Sequence, residues 1–223
     1  MQPQADPFIV PICDEQIEVL YQDEHILLIN KPTRLLSLSG KHPQNKDSVH
    51  FRLVQSYPSA TLVHRLDFGT SGIMLVALSK EINGLLTKQF QTRSIEKTYT
   101  ALLHGDVQND EGSISEPIAK DRPNFPLQKI CYNEGKDALT NYQVLERLKG
   151  PAITRVLFKP VSGRTHQLRI HSQVLGHSIL GCDLYAPDEA YFMASRLMLH
   201  ATSLYFDHPM SGERIKGVCP CPF

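Results

Sequence analysis

The chain has 223 residues, room for one substantial domain or two small ones. No stretch approaches the ~18 uninterrupted apolar residues of a membrane helix, and of five cysteines only Cys219 and Cys221 lie close together, which argues against a zinc site and for plain thiols. Lys plus Arg and Asp plus Glu number 23 each, a balance that excludes a uniformly basic nucleic-acid binder.

The balance hides an uneven distribution. Residues 1–30 hold six acids and no Lys or Arg, residues 31–100 hold ten basic residues against four acids, and the remainder is even. A basic middle block can form a cationic face although the total cancels; chance clustering on a solvated surface is the plain alternative. The first twenty residues lack a basic segment before their short apolar patch, so they do not read as a signal peptide, and a cytoplasmic protein is expected.

In chain order, "IEVLYQDEHILLINKP" reads as two strands around a polar turn, stopped by Pro32. "LLSLSGKHPQNK" is a loop. "DSVHFRLVQSY" has helical spacing with Asp47 as the expected N-cap. "TLVH" is a short strand that runs on through "VHRLD", and "GIMLVAL" is a buried one. "SKEINGLLTKQFQTRS" is an amphipathic helix capped by Ser79. "EKTYTALLHGDV" is a strand; "EPIAKDRPNFPLQKI" is a proline-broken loop leading into strand-like "LQKICYN". "DALTNYQVLERLK" and "AITRVLFKPV" form a hairpin turned at "LKGP". "GRTHQLRIHSQVLG" is helical and stops at Gly176, and "RLMLHATSLYFDHP" and "GERIKGV" are strands. Loops 33–46 and 116–126 are surface loops rather than linkers. Strands outnumber three interspersed helices, which predicts one α+β domain on a mixed, mostly antiparallel sheet with flanking helices.

Three segments can carry chemistry. On a strand, Arg65 and Asp67 of "VHRLD" point the same way, and the glycine-containing turn after them leaves Asp67 fixed but facing open space. An Asp that caps its own turn is the competing reading. In "GRTHQLRIH", Arg164 stands at the start of the expected helix, where a guanidinium can clamp a carboxylate or phosphate, while His166 and Arg169 share a face; a solvated basic helix face is the competitor. In "EKTYTALLHG", Lys97 and Tyr99 share a strand face, a pairing that suits a nucleobase beside a phosphate, against ordinary packing of a tyrosine.

Taken together, "NKP", "HRLDFGTSG", "KTYTA", "GRTHQLRIH" and "RLMLHA…FDHP" resemble, in order and approximate spacing, the RluA family of pseudouridine synthases, from about residue 17 onward. The loop "DRPNFPLQKICYNEGKDALTNYQVLE" resembles one branch of that family more than the others. The resemblance implies a pseudouridine-synthase-like catalytic domain over residues 17–223 after an N-terminal extension of residues 1–16 that resembles no S4 RNA-binding module. It also implies isomerisation of a uridine in structured RNA, an rRNA or tRNA stem-loop, with no cofactor, no metal, no membrane and no obligate protein partner, by a chain read as a monomer. Asp67 matches the family's catalytic carboxylate, acting at ribose C1′, at uracil C6 or as a base at the ribose. Tyr99 matches the tyrosine that packs on the target base, Arg164 the arginine that pairs with the Asp, and Arg65 the arginine that helps to extrude the uridine. Lys97 and Arg169 are expected RNA contacts.

Two positions depart from the pattern: Phe68 stands where relatives often carry Arg or Met, and Gly69 also varies. They motivate a second hypothesis, an RNA-binding or RNA-folding factor with reduced or lost catalytic activity. A glycoside hydrolase built on Asp67 would need a second carboxylate opposite the first, and none is suggested nearby.

Overall fold

The computed structural model describes residues 9–223, so the first eight residues of the expected extension lie outside the described residues. Part of the rest of that extension is tied to the domain: the Val10 N–H donates to the Asn45 side chain, Cys13 is buried, and Arg52 donates to the carbonyls of Cys13 and Glu15.

β1 (Glu18–Gln22) and β2 (Ile26–Lys31) form the expected hairpin, its turn closed by the Asp23 carboxylate, which accepts the N–H groups of His25 and Ile26. α1 (Val49–Ser56) is capped by Ser48, not by Asp47. The Asp47 carboxylate is taken instead by the Arg52 guanidinium at 2.6 Å. The chain continues through β3 (Thr61–Leu62), β4 (Ser71–Ala77), α2 (Lys80–Thr92), β5 (Glu96–His104), β6 (Glu111–Ser115), β7 (Ile118–Lys120), β8 (Gln128–Ile130), β9 (Leu139–Leu148), β10 (Ile153–Pro160), α3 (Gln167–Val174), α4 (Asp188–Tyr191), β11 (Leu199–Asp207) and β12 (Arg214–Val218). Ser79 caps α2 as expected, and Gly176, at φ +85°, follows the last turn of α3.

Ten strands form one sheet in the order β1-β2-β4-β11-β5-β10-β9-β6, with β12 beside β11 and β3 beside β4, while β7 and β8 make a separate hairpin. Among the named strand pairs of the described residues, β4–β11 alone is parallel, so the sheet is mixed and mostly antiparallel. Segment 116–126 is therefore not all loop: β7 occupies part of it and pairs with β8. β6 carries little sequence signal of its own, because "EGSIS" has a single buried apolar residue, Ile114, to mark it.

The β4–β11 pair is short and central. It joins only Ser71 to His200 and Gly72 to Ala201, after which β3 takes over the edge of β4 and β12 that of β11. Gly72 makes the join possible: its φ is +112°, and a Cβ there would lie 2.2 Å from the Ala201 carbonyl oxygen. The core divides at the same seam. One apolar cluster packs β2 and β4 against α1 and α2, and another packs β5, β10 and β11 against α3, with Tyr99 touching both.

Candidate active site

The segment preceding β4 is irregular where a strand was expected. β3 ends at Leu62, and residues 63–70 leave the sheet because β11 occupies the edge of β4 at Ser71 and Gly72. Where the backbone peels away, the His64 imidazole replaces it: Nε2 accepts the Leu75 N–H at 2.9 Å. Burial, with Lys97 nearby, holds His64 neutral, its pKa pushed down to about 3. Arg65 and Asp67 still line one cavity, but loop geometry rather than strand alternation puts them there.

That loop is anchored by its carbonyls. Ser37 Oγ donates to Leu66 O at 2.7 Å and accepts the Leu66 N–H, Thr33 Oγ1 donates to Gly69 O at 2.8 Å, and Lys31 Nζ reaches Phe68 O at 3.4 Å. Lys31 is wholly buried and also donates to Pro32 O and Leu35 O at 2.8 and 2.7 Å. Its ammonium is pushed down to about 7 by burial, against the pull of Cys13 and Asp67. The turn itself closes through the Asp67 carbonyl, which accepts from the Thr70 N–H at 3.1 Å. The Asp67 carboxylate forms no hydrogen bond and no ion pair among the described residues, which removes the turn-cap reading. It is a carboxylate on a braced loop, aimed into a cavity.

The opposite wall comes from β5. Ala201 lies beside Gly72 on one side and Tyr99 on the other, so Tyr99 is two strands from the start of β4, about 10 Å at the usual spacing. Thr98 and Thr100 face away and bond to Ser203 and Thr202, while Lys97 and Tyr99 face the cavity. Burial and the Asp67 charge both raise the Tyr99 pKa and keep the phenol protonated. Burial pulls Lys97 below the usual lysine range.

The cavity has a main lobe of about 450 Å³ and a smaller one of about 100 Å³, and Arg65, Asp67, Lys97, Tyr99 and Arg164 line both. That volume falls within the range of small-ligand sites. Arg65 is exposed at the rim. Arg164 precedes α3 by three residues instead of starting it, because the Gln167 side chain folds back to accept the Arg164 N–H and the Ser162 hydroxyl. Its Nε donates to Asp137 O at 3.0 Å, and no ion pair joins it to Asp67.

Arg169 is not on a solvated face. Its side chain is 5% exposed, bonded to Asp183 and to Cys182 Sγ and stacked over Tyr185. Burial opposes its charge, but Cys182, Asp183 and Asp67 outweigh burial and raise its pKa. His166, left-handed at φ 57°, lies just before α3 rather than on it. It converges with Arg169 on Tyr185, bonding its hydroxyl through Nδ1 at 2.6 Å. Tyr185 also accepts the Gln128 N–H from β8. Sequence reading assigned no role to Lys31, His64 or Tyr185; "NKP" and "HRLD" contain the first two, but nothing in their spacing shows which backbone groups they serve.

Comparison with known proteins agrees with this geometry. Residues 25–173 match the family described as RNA pseudouridylate synthase. The chain is 48% identical over 205 residues to the dual-specificity RNA pseudouridine synthase RluA of Yersinia pestis, covering 92% of this chain and 99% of that protein. It is 43% identical over 221 residues to the RluA of Escherichia coli K12, covering 99% and 97%. Among solved structures it resembles human RNA pseudouridylate synthase domain containing 1, with a TM-score of 0.79 and 31% identity over 96% of this chain and 86% of that one.

Proposed function

The chain belongs to the RNA pseudouridylate synthase family, as an RluA-type RNA pseudouridine synthase, and on that premise we propose that Asp67 is the carboxylate that carries the isomerisation. The observation behind this reading is a carboxylate without hydrogen bonds on a loop whose carbonyls at 66, 68 and 69 are each held by a side chain. A carboxylate that spends no lone pair on a neighbour keeps its full nucleophilicity, and its anchors supply the orientation that the reaction needs.

A uridine reaches Asp67 by leaving its stack, at a cost of a few kcal/mol. Tyr99, with its ring between the two core clusters, stacks on the extruded base and returns about 1–3 kcal/mol of that cost. Exposed Arg65 at the rim occupies the gap left in the RNA. Arg164 supplies positive charge across the cavity from Asp67. The carboxylate attacks ribose C1′ as the bond to uracil N1 breaks; the base turns in place, C5 bonds to C1′, and the carboxylate departs. The C5 proton is lost and N1 takes one up, so the product is an isomer.

The substrate is a uridine in an RNA stem-loop, of rRNA, of tRNA or of both, in the cytoplasm. The relatives' description as dual-specificity enzymes supports a chain that serves more than one RNA, and residues 31–100 bring the basic surplus to it. Residues 17–223 act as one catalytic domain, and the chain acts as a monomer. Arg169 acts from inside the protein, holding Asp183 and Tyr185 behind the cavity, rather than as a direct RNA contact. The test is to incubate total RNA from a strain lacking the gene with the purified protein and to map pseudouridine chemically. New sites with the native chain and none with Asp67→Asn are expected; sites that also appear with Asp67→Asn would assign the chemistry to another group, and no new site with the native chain would make it an RNA-binding factor.

A further inference from the structure

Lys97 is half-buried where the two lobes of the cavity meet, and it has no hydrogen bond and no ion pair among the described residues. Its neighbour on β5, Glu96, is engaged with Arg214 at 2.8 Å, and Asp67, across the same cavity, lies beyond ion-pair distance. A Cβ on Gly163 would stand 3.6 Å from the Lys97 ammonium, so the head group lies against the loop that carries Arg164, facing the space in which a base would lie. A desolvated ammonium with nothing to bond to costs free energy in the empty protein. Groups held in that condition in a cavity concentrate where charge develops during a reaction.

We propose that the Lys97 ammonium is a catalytic group that donates a hydrogen bond to a uracil carbonyl oxygen as the base departs from C1′ as an anion. This rests on the reading of Asp67 as the attacking carboxylate. In that step the carboxylate oxygen forms a bond to C1′, the C1′–N1 bond breaks, and its electron pair passes to uracil, spread over N1 and the two carbonyl oxygens. No proton needs to move: the ammonium stabilises the anion by hydrogen bond and charge, and it can follow the base as it turns because a lysine stem rotates freely. When C5 bonds to C1′ and the carboxylate leaves, the charge on uracil is discharged and the contact weakens.

Position favours the base over a phosphate as the partner. Lys97 stands two residues from Tyr99 on the same strand face, about 6.6 Å along β5, so a base stacked on Tyr99 lies within reach of the ammonium. Phosphates stay in solvent, outside the cavity that the Lys97 ammonium faces. A donor aimed at charge that appears only during bond breaking accelerates the reaction without tightening ground-state binding.

The test compares the native chain with Lys97→Met and Lys97→Arg under single turnover on a stem-loop RNA that the enzyme modifies. The target position is either uridine or 5-fluorouridine, whose base is the better leaving anion. RNA affinity is measured in parallel, and Asp67→Asn serves as the reference for the underlying reading. Lys97→Met is expected to slow cleavage of the uridine glycosidic bond by about 100-fold, with RNA affinity changed less than about threefold. The defect on 5-fluorouridine should be at least tenfold smaller, and Lys97→Arg should recover part of the rate. A loss that appears wholly in affinity would make Lys97 a phosphate contact and overturn the proposal, as would equal rate defects on the two bases. If Asp67→Asn retains native rates, the reading of Asp67 fails first, and the Lys97 proposal with it.

Discussion

Lys31, behind the loop that carries Asp67, and Lys97, in the cavity that Asp67 faces, are two lysines withdrawn from water, and they differ in what replaces the water. Lys31 gives three hydrogen bonds, to Pro32 O, Leu35 O and Phe68 O, and so ties the 32–35 turn to the loop that carries Asp67. Lys97 gives none, and faces the space that Asp67 also faces. Burial lowers the pKa of both, so the perturbation alone does not tell structural work from chemical work. Hydrogen-bond satisfaction does: a buried cation with every donor used holds the protein together, and one with its donors idle awaits a ligand.

The largest effect that would break this contrast is on stability. Lys31→Met removes a donor from the carbonyls of Pro32, Leu35 and Phe68 and is expected to cost about 3 kcal/mol, whereas Lys97→Met, which removes an unpaired charge, should leave the urea midpoint unchanged or raised. The two should also differ with pH. Folding lowers the Lys31 pKa from 10.5 to about 7, so between those values the unfolded chain binds more protons than the folded one and stability rises with pH. The gap in urea midpoint between the native chain and Lys31→Met should therefore widen from pH 7 to pH 10; parallel curves would show that Lys31 keeps its proton throughout.

Arg164 lies between the two cases, with one bond to the Asp137 carbonyl and its remaining donors open to the cavity. Arg164→Ala should lower the single-turnover rate by about 100-fold and RNA affinity far less, since many contacts share the RNA. Equal losses in both would place Arg164 with the phosphate contacts. Smaller still is the effect at Tyr99, whose hydroxyl bonds to nothing among the described residues. Tyr99→Leu should lose about 1–3 kcal/mol of stacking, read as a slower single-turnover rate on the uridine substrate, while Tyr99→Phe should stay close to native.

Much of this arrangement was legible in the sequence, and what was not has physical causes. Periodicity revealed α2, β4 and the β9–β10 hairpin because each has a continuous apolar face to bury. It did not reveal β6 and β7, which are too short and too poor in apolar residues to show alternation. "VHRLD" alternates like a strand and is a loop, because its place on β4 is taken by β11, which arrives 129 residues later at the Ser71–His200 contact; no local pattern contains that competitor. Arg169 looked like a surface cation for a similar reason, since the Asp183 and Tyr185 that bury it lie beyond the helix. Asp67 was found through the company of distant motifs, and its spacing alone would have left it a turn cap.

The most direct measurement is tritium release from a stem-loop RNA carrying [5-³H]uridine at the modified position, because forming the C5–C1′ bond must free the label. The native chain should release the label from that position and Asp67→Asn should release none while still binding the RNA. Release by Asp67→Asn at a rate near the native one would show that another group performs the chemistry.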